Sequence, residues 1–367
     1  MKRVLAGLFF AALLLYNGSA QAEGAKAAVL IEAQSGRVLY ESNAHAPLPM
    51  ASTTKIMTAL LALENGSLSD VVTVSRNAFG VPGTSIYLSE GETLTLEQML
   101  FGLMLQSGND AAVAIAEHIG GTTENFCAMM TRRAEELGCE NTLFATPHGL
   151  PAQQHHTTAW DLAHITREAL KNADFRRIVS TQRMTIPWAG HDYDRVLNNK
   201  NKLLAAYPGA IGVKTGYTKA AGRCLVFAAE REGMTLIGVV LGCPSWFDEA
   251  AALLDRGFAN WQLVTLLSAG EAVRALPVRN GTSDAVTVRA GEALAAPVRM
   301  DAWPDLLIEL PDSLEAEVQA GQIVGWARLT DEGETIASVP LYAEAAVPLN
   351  TFRARVGRIF ALWTAGR

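Results

Sequence analysis

The period of apolar positions changes several times along this chain, and the changes mark its organisation. Residues 27–31 form an unbroken apolar run and residues 38–40 a second short one, separated by Ser35-Gly36, so two strands about a glycine turn are predicted. From Ser52 the spacing becomes helical, with Ile56, Met57, Leu60, Leu61 and Leu63 as the apolar set. Helical patterns continue over 96–105, 110–119, 124–137 (ended by Gly138) and 158–170. Strand character returns at 224–229 and 235–241, on either side of the turn Glu230-Arg231-Glu232-Gly233, and 250–261 reads as a closing helix. Strands at both ends of this stretch and helices in its middle predict an α+β unit, an antiparallel sheet carrying a helical cluster.

Beyond about residue 268 the texture changes to short alternating segments. Val286-Thr287-Val288 is one, and 323–329 runs through Thr330-Asp331-Glu332-Gly333 into 335–339 as a hairpin. A small all-β unit ending near 345 is expected. At the C-terminus Phe352, Val356, Ile359, Phe360 and Trp363 fall on one helix face, flanked or opposed by Arg353, Arg355 and Arg358. Such a helix suits a membrane interface, where arginines meet anionic lipid, and suits equally well docking on its own domain. At the other end, Lys2 and Arg3 precede the apolar run 4–16, and Ala20-Gln21-Ala22 offers small residues for cleavage before Glu23, which is the pattern of a signal peptide. The predicted organisation is a signal segment at 1–22, an α+β domain at 23–267, a β-rich domain at 268–345 and an amphipathic helix at 346–367.

Composition adds exclusions. A net charge of -7 supplies no general basic surface, which argues against nucleic acid as a partner. The four cysteines form no C-x-x-C pair. Cys127 and Cys139 bracket a helical stretch, about 18 Å and beyond disulfide reach. Cys224 and Cys243 stand on the two arms of one hairpin, where a disulfide after export and two buried thiols are both open. The His155-His156 pair has no ligand-spaced partners and reads as surface loop, so neither metal nor cofactor is expected.

A serine needs a neighbouring base to become a nucleophile. The G-x-S-x-G elbow and the H-E-x-x-H zinc motif are both absent, whereas Ser-x-x-Lys occurs once, as Ser52-Thr53-Thr54-Lys55. On a helix, positions three apart share a face, so the Lys55 amine can reach the Ser52 hydroxyl. A Ser52 opening the helix also points its own N–H outward, as half of an oxyanion hole. To act as a base, Lys55 must be neutral, which desolvation or nearby cations would bring about. Ser107-Gly108-Asn109 offers a hydroxyl for proton relay and an amide for a substrate carbonyl, with a glycine turn to aim both. Ser75-Arg76-Asn77 repeats the pattern without the glycine. Lys214-Thr215-Gly216 leads into the Cys224 strand; its lysine and threonine suit a carboxylate, and its glycine admits a substrate backbone to the strand edge.

Each motif alone is an ordinary coincidence; their order is not. With Ser52-Thr53-Thr54-Lys55, Ser107-Gly108-Asn109 and Lys214-Thr215-Gly216-Tyr217 in succession, the chain resembles the low-molecular-mass penicillin-binding proteins, the D-alanyl-D-alanine carboxypeptidases of peptidase family S11. The segments 49–58, 105–112, 147–150, 157–162, 199–204 and 212–218 carry the resemblance. It implies a serine β-lactamase/transpeptidase-like domain followed by the small β domain, and a C-terminal helix at the outer face of the cytoplasmic membrane. It implies an exported enzyme that cleaves the terminal D-Ala from peptidoglycan stem pentapeptides and is acylated by β-lactam antibiotics. Ser52 would be the nucleophile, Lys55 the base and Ser107 the proton relay. Asn109 would hold the peptide, Lys214 and Thr215 would bind the terminal carboxylate, Gly216 would admit the substrate backbone to the strand edge, and Tyr217 would give the second oxyanion N–H. The segment 243–248 holds no basic residue, which leaves the carboxylate to Lys214 alone or to Lys214 with Arg223.

Overall fold

A computed structural model describes residues 24–352. The signal segment read at 1–22, and the C-terminal helix from residue 353 on, lie outside the described residues.

The larger unit opens with the hairpin β1 (Ala27–Glu32) and β2 (Val38–Ser42). A tight 3-10 turn, Ala51–Thr54, runs directly into α1 (Lys55–Asn65). A small hairpin, β3 (Val71–Thr73) with β4 (Thr93–Thr95), precedes α2 (Leu96–Phe101), α3 (Asn109–Gly120), α4 (Thr123–Glu136), α5 (Ala159–Lys171) and α6 (Ala173–Ser180). Then come the hairpin β5 (Arg183–Ile186) and β6 (Arg195–Asn198), the short α7 (Leu203–Ala206), the strands β7 (Ala210–Thr218), β8 (Gly222–Arg231) and β9 (Met234–Leu241), and α8 (Trp246–Asn260).

The main sheet has the order β2-β1-β9-β8-β7, antiparallel at every junction. The first strand therefore pairs with the last, and β7 is left at an edge, against the 3-10 turn. Helices cover both faces of β1. Ala27, Val29 and Ile31 pack into the helical cluster, while Ala28 and Leu30 pack on the side of α8. Burial on two faces is why β1 reads as a continuous apolar run rather than an alternating one. Side-chain caps start the helices: Thr95 forms a capping box with Gln98, and Thr122, Thr158 and Asn172 cap α4, α5 and α6.

Two helices differ from their expected spans. The helix predicted over 96–105 is α-helical only to Phe101; Gly102–Gln106 widens into a π turn and leaves Ser107 in the left-handed region at φ 67°. Widened turns and left-handed non-glycine residues collect at functional sites, where surrounding packing holds them. The closing helix starts at Trp246 rather than 250, with Asp248 and Glu249 complementing the positive end of its dipole.

The β-rich unit takes its first strand from ahead of residue 268, because β10 (Trp261–Leu267) pairs with β13 (Leu294–Arg299). The other strands, β11 (Ala272–Arg279), β12 (Ala285–Ala290), β14 (Asp305–Glu309), β15 (Leu314–Glu315), β16 (Ile323–Asp331) and β17 (Glu334–Ala343), form a sheet of order β14-β16-β17-β12-β11-β15. The predicted hairpin is β16–β17, turned by Glu332 and Gly333, both at positive φ. Residues 346–350, placed in the terminal helix on sequence, still belong to this unit: Val347 and Leu349 bridge to Val318 and Gly281. The two units are tied through Arg37, which donates to Pro297 O at 2.8 Å, pairs with Asp331 and lies over the Trp261 ring.

Candidate active site

The site forms where the edge strand β7 meets the turn Ala51–Thr54. Gly216 makes that contact possible, since a Cβ there would lie 2.9 Å from Ser52 N and 3.1 Å from Thr53 N. On the far side Gly149, at φ 91°, allows an approach that any Cβ would block at 1.9 Å from Ala51 O. Ala51 is itself left-handed at φ 50°, which sets the angle at which Ser52 is presented.

Lys55 is fully buried, and its Nζ lies 3.2 Å from Ser52 Oγ, 2.8 Å from Asn109 Oδ1 and 2.7 Å from His148 O. Burial, and then the charges of Lys214 and Lys200, hold the Lys55 pKa well below its ordinary value, against an opposing pull from Asp110. A neutral amine has two N–H donors and one lone pair. In that form, with the two carbonyl oxygens taking its donors, the lone pair would be left for the Ser52 hydroxyl. The protonated form would have to place a full charge in a wholly buried position beside other cations.

Ser107 lines the cleft and is 4% exposed, and its hydroxyl has no hydrogen-bond partner among the described residues. An unpaired buried hydroxyl is costly, and it is available to a proton in transit. Asn109 is buried; its Nδ2 donates to Pro82 O at 2.6 Å while its Oδ1 accepts from Lys55. Asp110 anchors the neighbouring loop by accepting from the N–H groups of Ile86 and Leu88 and from the Ser85 hydroxyl. The competing Ser75-Arg76-Asn77 set lies elsewhere, with Ser75 Oγ and Asn77 Nδ2 both donating to Glu117.

Lys214 is buried, donates to Thr215 O at 3.0 Å and stands outside the cleft lining. Burial, and then Lys200, push its pKa down to about 7. Thr215, Gly216 and Tyr217 do line the cleft, which measures about 600 Å³. Lys200, Lys202, Arg223, Thr84 and the segment 244–248 complete its walls. All four cysteines are free and buried, so of the two readings for Cys224 and Cys243 the structure has the thiols.

Neither Lys200, within the family-like segment 199–204, nor His155 is assigned to the site on sequence. Lys200 reaches the site only because its loop folds over the π turn, with its N–H donating to Leu105 O. His155, read as surface loop, is in fact buried. Its Nδ1 accepts from the N–H of Ala145 at 3.0 Å, which fixes the proton on Nε2; that N–H donates to Thr54 Oγ1 at 2.9 Å, and Thr54 Oγ1 donates to Ala51 O at 2.8 Å. The chain of bonds ties the loop that supplies His148 O to the turn that presents Ser52, so His155 is a positioning residue. His155→Ala is expected to slow acylation of Ser52 about tenfold by leaving Thr54 and Ala145 without their partner. His155→Gln, which keeps a donor for Thr54, should recover most of that loss; stopped-flow acylation rates check both.

The half-buried His148 and the buried His155 both link folding to pH. Burial, with Lys55 as a lesser cause, pushes His148 down to about 3, and burial pushes His155 down to about 4. An unfolded chain takes up these protons near the ordinary histidine pKa of about 6.5 while the native fold does not. Stability is therefore complete above about 6.5 and is lost as pH falls from there, through about 4 for His155 and about 3 for His148. Melting temperatures measured across that window should fall, and the fall should be smaller in His155→Gln.

Residues 17–245 match the family model described as D-alanyl-D-alanine carboxypeptidase, and residues 261–349 match that of the penicillin-binding protein 5 C-terminal domain. The D-alanyl-D-alanine carboxypeptidase DacF of Bacillus subtilis is 34% identical over 99% of both chains. DacC of Escherichia coli is 31% identical over 90% of this chain and 86% of its own length. Among solved structures, penicillin binding protein 5 of Haemophilus influenzae superposes with a TM-score of 0.77 at 30% identity, covering 89% of this chain and 98% of that one.

Proposed function

The chain belongs to the D-alanyl-D-alanine carboxypeptidase family of serine peptidases, family S11, and from that membership we propose a role for each residue of the cleft. The protein is a serine-type D-Ala-D-Ala carboxypeptidase: it removes the terminal D-alanine of peptidoglycan stem peptides through an acyl-enzyme and binds penicillin covalently.

The stem peptide lies along the edge strand β7, its terminal carboxylate at Thr215 under the positive potential of Lys214 and Lys200. The penultimate D-Ala carbonyl then faces Ser52, its oxygen between the N–H groups of Ser52 and Tyr217. Neutral Lys55 takes the hydroxyl proton as Ser52 Oγ bonds to the carbonyl carbon, and the two N–H groups stabilise the tetrahedral oxyanion. As the intermediate collapses the C–N bond breaks, and the proton passes from Lys55 through Ser107 to the departing D-alanine amine. Asn109 holds Lys55 through Oδ1 and offers Nδ2 to the peptide in place of Pro82 O. Water then adds to the ester, the C–Oγ bond breaks, Ser52 regains its proton and the shortened peptide leaves.

The observation that carries this reading is the buried Lys55, with its two donors held by Asn109 Oδ1 and His148 O and its remaining side on Ser52 Oγ. Incubation with a pentapeptide ending in D-Ala-D-Ala releases free D-alanine, and penicillin adds its mass to the proteolytic fragment carrying Ser52. No D-alanine, or penicillin on another residue, overturns the assignment.

The electrostatics also fix a pH profile. The kcat/KM for the pentapeptide rises with pH as Lys55 loses its proton, and falls again above about 7, where Lys214 loses the charge that attracts the carboxylate. A pH–rate series that kept rising well past neutrality would remove Lys214 from carboxylate binding.

The protein acts on the extracytoplasmic side of the cell membrane, exported by the segment 1–22 and held at the membrane by the apolar face of Phe352, Val356, Ile359, Phe360 and Trp363, with Arg353, Arg355 and Arg358 on the lipid headgroups. Among the described residues no helix is long and apolar enough to cross a membrane. Sedimentation with anionic vesicles should carry down the mature chain and leave a chain ending at Leu349 in solution.

A further inference from the structure

The stem peptide has a direction on β7, and this inference rests on the catalytic reading above. With the terminal carboxylate at Thr215 and the acylated carbonyl at Ser52 and Tyr217, the residue before the acylated D-Ala lies past Tyr217, away from Lys214. That residue is the third of the stem, a diamino acid. The wall it meets is built from two strand ends. Arg223 is the Cα partner of Tyr217 on β8, and Pro244–Asp248 follows β9.

Arg223 is exposed; its Nη1 donates to Pro244 O at 2.7 Å and its guanidinium lies 5.8 Å from the Trp246 ring centre. The bond to Pro244 fixes the guanidinium plane at the mouth of the cleft and uses one of its five donors. Trp246 and Phe247, half-buried with rings 4.9 Å apart, form an apolar wall. Asp248 comes next in the first turn of α8; it is exposed and makes no ion pair among the described residues. This end of the cleft thus presents a cation held in place, an aromatic surface and a free carboxylate.

We infer that Arg223, Trp246, Phe247 and Asp248 bind a diaminopimelate side chain at the third stem position, and so select diaminopimelate stems over lysine stems. Diaminopimelate carries three methylenes that end in a carbon bearing both an ammonium and a carboxylate. The methylenes lie on Trp246 and Phe247, the carboxylate meets the open donors of Arg223, and the ammonium meets Asp248. Lysine supplies the methylenes and the ammonium but nothing for Arg223, whose fork geometry suits a carboxylate.

The test uses three soluble pentapeptides that differ only at the third residue: meso-diaminopimelate, its side-chain amide, and L-lysine. The wild-type chain is expected to show a kcat/KM at least about tenfold higher for the diaminopimelate peptide than for the lysine peptide, the size of one charge-assisted contact, with the amide close to lysine. In Arg223→Ala the diaminopimelate-to-lysine ratio falls to about one, while in Asp248→Asn both peptides weaken and the ratio persists. Equal kcat/KM for all three peptides in a wild-type chain that penicillin still acylates at Ser52 overturns the subsite and leaves the catalytic reading standing. The peptide comparison alone decides this, even where a variant folds poorly. Absence of acylation at Ser52 in the wild-type chain overturns the catalytic reading instead.

Discussion

Lys55→Arg is expected to slow acylation of Ser52 by about a thousandfold or more, for penicillin and for the pentapeptide alike, although it keeps a basic side chain at the position. Full burial and the charges of Lys214 and Lys200 favour a neutral Lys55 amine over the opposing pull of Asp110, and two carbonyl oxygens can occupy its N–H groups. A guanidinium does not deprotonate in this range and presents no lone pair, so it can donate to Ser52 Oγ but cannot accept from it. If Lys55 served only to place positive charge beside the serine, arginine would preserve most of the rate. Labelled penicillin, followed by gel fluorescence against time, measures the effect, with the melting temperature recorded alongside. Acylation within tenfold of wild type would move the base to another residue. The arginine variant should also lose the ascending limb of the pH profile, because the group that titrates there is gone.

The parts of this architecture that were legible in the sequence are those fixed by local chemistry. The hairpin of β8 and β9 follows from two apolar runs about Glu230-Arg231-Glu232-Gly233, and its turn carries the positive φ of Glu232 and Gly233 that such a hairpin requires. The edge position of β7 was not legible, because it depends on β1 returning to pair with β9 across the whole unit. The same holds for the site. Ser52 and Lys55 lie three residues apart, so helical geometry brings them together from sequence alone. Asn109 and His148 approach Lys55 from segments 54 and 93 residues away. His155 looked like loop because two adjacent histidines with no apolar pattern resemble a polar surface. It is buried because both ring nitrogens find partners, one on Ala145 and one on Thr54. The π turn before Ser107 escaped for a related reason: Leu103, Met104 and Leu105 remain apolar and buried through it, so the period gives no sign that the helix has widened.

Gly216→Ala should separate the oxyanion hole from the proton transfer. The added Cβ would meet Ser52 N at 2.9 Å, Thr53 N at 3.1 Å and Ala51 Cβ at 3.2 Å. The nearest two are backbone atoms, and no flexible side chain can move aside to relieve the clash, so β7 must shift away from the turn. Tyr217 is the next residue on that strand, and its N–H shifts with it, opening the gap between the two donors of the proposed oxyanion hole. Loss of one such donor costs about a hundredfold or more in rate. Asn109 and His148 belong to other elements and keep their contacts with Lys55, which keeps its own with Ser52, so the proposed general base remains in place. Acylation is therefore expected to fall about a hundredfold while the ascending limb of the pH profile stays where it is, the reverse of the Lys55→Arg result. Overpacking of this kind also lowers stability, by about 1–3 kcal/mol, which a melting curve records separately. Measured with a chromogenic cephalosporin across pH, an alanine variant that acylated within threefold of wild type would show that β7 tolerates a side chain against Ser52. The second oxyanion donor would then have to be sought elsewhere than Tyr217.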